Sequence, residues 1–196
     1  MNETIKLQLN VHGPFTLCGE DLDILGDCPL LNEAGIYFFA VKQLSGKFSI
    51  SYVGETNASF YKRLKEHVIQ TLGGNYRVCE PEAMKEGKQI IVWNGLWRKG
   101  ARNKMPEFLR RYSELAPVVR ASLFVHKVFV IPFQAERRLR QRVEGGIASA
   151  LRDNPSASSL LPEDIRFYLR RKDEEPVLVE IQAPDTILGL PERIYA

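Results

Sequence analysis

Five side chains along the chain have the types that phosphoryl chemistry calls for: Tyr37, Tyr52, Arg63, His67 and Glu144, with Lys47 as a further candidate. Hydrolysis of a phosphodiester needs a group that polarises the phosphate and a base that activates water. It also needs a cation that balances the charge growing in the transition state. Phenol, guanidinium, imidazole and carboxylate can supply these functions only if the fold brings them to one edge of a small sheet.

The elements that would position them are legible in the pattern. Gly35 to Val41 and Phe48 to Val53 are aromatic and β-branched runs separated by Leu44-Ser45-Gly46-Lys47, which predicts a β-hairpin. Strand alternation then lets Tyr37 and Tyr52 project toward one patch, with Lys47 at the start of the second strand. Thr56 or Asn57 is placed to cap a helix that ends at Gly73-Gly74, with Phe60, Leu64, Val68 and Leu72 as its buried stripe. On that helix Arg63 and His67 lie four apart, roughly 6 Å between Cβ atoms, at the edge of the stripe. Ser122 to Phe133 reads as a strand, and Gln134 to Leu151 as a helix burying Ala135, Leu139, Val143, Ile147 and Leu151. Glu144 therefore falls at a core boundary, and Asp153-Asn154-Pro155 stops its helix. Residues 1–31 read as extended segments. In 73–121 a short strand at Gln89–Trp93 and a helix over Pro106–Leu115 are predicted, and in the tail a Pro162–Arg171 helix and a Pro176–Ile181 strand.

Composition sets the frame. The chain has 196 residues, 44% hydrophobic and 26% charged, with a formal net charge of +3, which is one ordinary core and too mild a charge to announce nucleic-acid binding alone. The longest apolar run, Ala34 to Val41, is eight residues, short of the ~20 that a membrane span requires. The start, MNETIKLQLN, has no basic segment followed by an apolar one, so no signal peptide and a cytoplasmic location are expected. The cysteines, Cys18, Cys28 and Cys79, form no CxxC pair, which excludes a disulfide scaffold or a Cys-rich zinc module. Charge is uneven: Arg98 to Arg111 holds six basic residues against one acid, and Glu136 to Arg142 four against one. Residues 163–196 hold five basic against eight acidic.

Gly35-Ile36-Tyr37, Tyr52-Val53-Gly54, Arg63 with His67, and Glu144 on a helix after a strand occur in an order that resembles the GIY-YIG nuclease family. The resemblance covers roughly 35–155. It departs in a long hairpin, with fourteen residues between Tyr37 and Tyr52, and in seventy-six residues between His67 and Glu144, so that 73–121 looks like an insertion. It implies an α+β fold, a small antiparallel sheet flanked by helices, in a single domain over 1–196. The core would be 35–155, with added N-terminal strands, a basic helical insertion at 73–121 and a C-terminal extension at 156–196. It implies a Mg²⁺-dependent endonuclease, with Mn²⁺ as the alternative metal, leaving 5′-phosphate and 3′-hydroxyl ends on DNA. Glu144 would be the metal ligand, Tyr37 would assist deprotonation of water, and Arg63 would hold the scissile phosphate. His67 would hydrogen-bond the phosphate or the tyrosine network, and Tyr52 would orient groups. A phenol with pKa about 10 is a poor base, so Lys47, Lys62 or Arg63 would have to lower Tyr37. Asn154 is a candidate brace for the site. A stand-alone enzyme of restriction or defence type fits the length best, without an organic cofactor, and a homodimer would suit double-strand cleavage.

Simpler roles compete for the remaining residues. His126 is explained by a strand position, His12 and Cys79 as structural, and Trp93 as a core anchor. Trp97, beside Arg98, Lys99, Arg102 and Lys104, could stack on a base or brace DNA backbone. If that loop is merely solvated, the DNA cradle moves to Arg137, Arg138 and Arg142. The rival readings are a non-catalytic nucleic-acid-binding module of the same fold, and an interaction subunit whose acidic tail docks a partner.

Overall fold

A computed structural model of the chain describes residues 5–17, 24–26, 28–98, 102–162 and 168–196. The aromatic and β-branched runs form the hairpin of β3 (Gly35–Lys42) and β4 (Phe48–Thr56). With β2 (His12–Thr16) and β7 (His126–Pro132) they make an antiparallel sheet in the order β2-β7-β3-β4, which leaves β4 on an edge. Alternation sorts the side chains into two layers. Ile36, Phe38, Phe129, Ile131 and Val53 face one buried cluster; Tyr37, Phe39, Val128 and Val130 face the other.

The second layer is covered by α1 (Phe60–Leu72), whose N-cap is Ser59 and not Thr56 or Asn57. The Ser59 hydroxyl accepts the Lys62 N–H at 3.3 Å, while Thr56 closes its own turn on Ala58. The expected stripe also drifts: Phe60 and Leu64 are buried, but Leu72 is 48% exposed. Each step of four residues overshoots a turn by about 40°, whereas seven residues return to within about 20° of the starting face. His67, seven after Phe60, therefore takes the inner position and is buried.

Residues 73–125 build a layer with its own small core. They form β5 (Val78–Cys79), α2 (Pro81–Lys85), β6 (Ile91–Trp93), α3 (Met105–Arg110) and α4 (Tyr112–Val125). Val78, Trp93, Phe108, Leu115 and Val119 pack together, and Trp93 Nε1 donates to the Gly74 carbonyl at 2.7 Å. The expected strand at Ser122–Phe133 is corrected in its first four residues, which end α4. Leu115, Val119, Ser122 and Leu123 are all buried, a helical spacing hidden inside a Val- and Phe-rich run.

α5 (Arg137–Asp153) lies on the other face of the sheet and buries Val143, Ile147 and Leu151. The two chain ends meet there. β1 (Ile5–Asn10) pairs in parallel with β8 (Val177–Gln182), and β9 (Arg193–Tyr195) completes a second sheet. The tail is thus part of the main core, not an appendage. Two of its acids are engaged: Glu174 pairs with Arg138 at 2.6 Å and Glu180 with Arg193 at 3.1 Å. Of the expected Pro162–Arg171 helix, 163–167 lie outside the described residues, and 168–171 are not helical. The architecture is α+β, and among the described residues no helix is long and apolar enough to cross a membrane.

Candidate active site

A β-bulge places the two tyrosines. Tyr37 pairs with Gly54 and Phe39 with Tyr52, but Ala40 pairs with Ile50, so Ser51 is an extra residue in β4. The extra residue reverses the alternation. Ile50 and Val53 face α5, while Tyr52 faces α1 with Tyr37, the ring centroids 6.0 Å apart. The motif glycines have steric reasons. A Cβ on Gly54 would stand 2.5 Å from the Tyr37 hydroxyl, and one on Gly35 would collide with the Ile131 carbonyl of β7.

Arg63 and His67 meet Tyr37 from α1. Arg63 Nε donates to the Tyr37 hydroxyl at 3.0 Å, and that hydroxyl lies 2.8 Å from His67 Nε2. A guanidinium can only donate, so the phenolic oxygen accepts from Arg63 while it shares a second hydrogen bond with His67. Arg63 Nη1 is tied to Glu66 at 3.3 Å. The His67 ring packs against Tyr52 at 5.5 Å and Tyr76 at 5.3 Å. Tyr76 comes from the region that reads as an insertion; a lone aromatic after Gly73-Gly74 carries no signal of its role.

The electrostatics correct the expectation for Tyr37. Burial, reinforced by Tyr52, outweighs Arg63 and pushes the phenol up, so it is not a lowered-pKa base. Burial and the Arg63 charge bring His67 down to about 3, which keeps the imidazole neutral. Tyr37 and His67 form a neutral hydrogen-bonded pair, with Arg63 as the fixed charge beside it.

Glu144 lies on α5, across the edge strand from this cluster. Burial and the neighbouring Glu55 carboxylate raise it to about 7, with Arg63 and a backbone hydrogen bond from Glu55 opposing. Glu55 in turn holds buried Arg140, whose Nε donates to Glu55 Oε2 at 3.1 Å. Glu55 is a residue that sequence reasoning missed; its one signal is an acid directly after Tyr52-Val53-Gly54. Glu144 and Glu55 are the donors that could hold a divalent metal. Two adjacent carboxylates, one with its ionisation suppressed, fit a hard cation that retains most of its waters. Among the described residues no group of three or more His, Cys, Asp or Glu is gathered for a metal.

Other expected residues lie elsewhere. Lys47 is exposed in the turn before β4, at the far end of the hairpin. Tyr37 is five residues from Lys42, the partner of Phe48, which is about 17 Å along the strand. Asn154 caps the end of α5 and accepts from Ser156, ten residues beyond Glu144. Trp97 is exposed and stands edge-on to Tyr76 at 5.3 Å. Arg98 is exposed beside it, and Lys104 is half-buried before α3. Lys99 lies outside the described residues, and of Arg102 the backbone alone is described, opening a short 3₁₀ turn. The alternative cradle on α5 is largely spent. Arg138 is locked to Glu174 and the Leu169 carbonyl, and buried Arg142 to the Glu175 and Ala196 carbonyls. No protein-family model matches the chain, and neither curated proteins nor solved structures give a significant match.

Proposed function

We propose that the chain is a GIY-YIG-type endonuclease that hydrolyses DNA phosphodiester bonds. The observation that carries this reading is the Tyr37–Arg63–His67 network, with the Glu144 carboxyl held near neutrality across the strand edge. Arg63, fixed by Tyr37 and Glu66 yet 31% exposed, presents a permanent positive charge to an arriving phosphate. That phosphate brings negative charge close to His67 and raises it from about 3 toward its ordinary value, making it a better proton acceptor. Tyr37 then takes the proton of the attacking water while passing its own to His67 Nε2. The hydroxide adds to phosphorus, the bond to the 3′ oxygen breaks, the departing oxygen takes a proton from solvent to become the 3′-hydroxyl, and no free phenolate forms. Glu144, with Glu55 beside it, would hold Mg²⁺ or Mn²⁺, which supplies charge stabilisation at the phosphate oxygens.

The test is supercoiled plasmid incubated with the protein and Mg²⁺, with and without chelator. Nicking or linearisation that chelator stops is expected. Glu144→Ala should abolish it while DNA binding stays within a few-fold. DNA binding by the wild type without cleavage under any divalent metal would replace this reading with a non-catalytic binding module.

A further inference from the structure

A cavity of about 400 Å³ opens between the central sheet and the layer formed by residues 73–125. Its size falls within the ~300–1,000 Å³ of small-ligand sites. Tyr52 and His67 form part of its wall, so it shares a boundary with the proposed active site. Its other lining residues include Tyr76, Trp97, Ser122 and His126, and the proposed proton path uses none of these.

The polar groups on that wall are set in definite states. The Ser122 carbonyl can only accept, so His126 Nδ1, 2.6 Å away, carries the ring hydrogen and Nε2 is a bare acceptor. Burial lowers the His126 pKa, so the ring remains neutral. His67, on the same wall, is hydrogen-bonded through Nε2 to the Tyr37 hydroxyl at 2.8 Å. The Ser122 side chain, in a residue 5% exposed, lies on the same wall. At the rim Trp97 and Tyr76 stand at 89° to each other. A ligand suited to this space is flat, offers π faces to the rings and brings an N–H to the buried acceptor. Those are the properties of a nucleobase, and Arg63 and Tyr37 lie just across the shared wall.

We propose that the cavity receives one unpaired nucleobase of the strand whose phosphate is bound at Arg63. This rests on the reading of the site as a DNA phosphodiesterase and deepens it. A base stacked inside a duplex cannot reach such a recess, so the favoured substrate is DNA with an unpaired nucleotide next to the scissile bond.

The test uses two duplexes, alike except that a single-nucleotide bulge carries adenine in one and an abasic site in the other. Affinity is measured in chelator by fluorescence anisotropy. The wild type should bind the adenine bulge about tenfold tighter or better, the scale of one base stacked on aromatic rings. A 2-aminopurine at the bulge should be quenched on binding. Trp97→Ala, at a 62% exposed position, should bring the ratio of the two affinities close to one. Ser122→Leu, which fills the recess, should do the same, its fold being checked by thermal unfolding. Equal binding of both bulges by the wild type overturns the pocket and leaves the nuclease reading standing. Failure to bind either bulge or a paired duplex removes both.

Discussion

Replacing Glu144 with glutamine should relieve a pH-dependent cost that the wild-type fold carries. Burial and the adjacent Glu55 raise this carboxyl from an ordinary 4.5 to about 7. At about 1.4 kcal/mol per pKa unit, the ionised side chain costs the native state on the order of 3 kcal/mol. The direction follows from linkage. Below the unfolded pKa the carboxyl is neutral in both states and costs nothing. As pH rises toward the folded pKa, the unfolded chain ionises first and stability falls; above it the whole cost is present. The Glu144→Gln variant is neutral throughout and close in shape to the protonated acid. Urea unfolding in chelator is the assay, near pH 5 and near pH 8.5. At the lower pH the variant should lead by only about 0.8 kcal/mol, since the unfolded carboxyl has begun to ionise. At the higher one the variant should be more stable by about 3 kcal/mol, roughly 1 M or more in midpoint at an m-value of about 2 kcal/mol/M. Millimolar Mg²⁺ should restore stability to the wild type alone, because a cation that binds only the native state stabilises it by mass action. Parallel pH profiles for the two proteins would refute the argument and return Glu144 to the solvated surface.

Tyr37→Phe removes the hydroxyl that accepts from Arg63 and faces His67. It should cost about 1–3 kcal/mol in urea unfolding and lower turnover by about 100-fold or more; normal stability and turnover together would dismantle the network as described. Arg63→Lys keeps charge but loses the planar fork, so turnover should fall steeply while DNA affinity changes modestly. Wild-type turnover in that variant would make Arg63 an ordinary helix-surface residue. Replacing Arg98, Lys99, Arg102 and Lys104 together with serine should flatten the log K against log salt slope by about 0.9 for each DNA phosphate that is no longer neutralised. An unchanged slope would leave that loop without a role in binding.

Local periodicity by itself determined the β3–β4 hairpin, the helix bearing Arg63 and His67, and the helix bearing Glu144, because alternation and near-fourfold recurrence are properties of neighbouring residues. It also placed Tyr37 and Tyr52 on facing strands. Other features depended on packing between residues far apart in the chain. The bulge at Ser51 turns Tyr52 to the Tyr37 side, and nothing in Phe48 to Val53 announces it. The sign of the Tyr37 shift was set by burial under α1, which outweighs the Arg63 charge expected to lower it. Glu55 gains its meaning only when α5 lays Glu144 and Arg140 against the end of β4. The tail, read as an extension, became two of the three strands of a sheet because β8 found β1 at the opposite end of the chain. Sequence patterning specifies which face of an element is buried; which elements meet, and so which charges lose their water, is decided only when those faces pack.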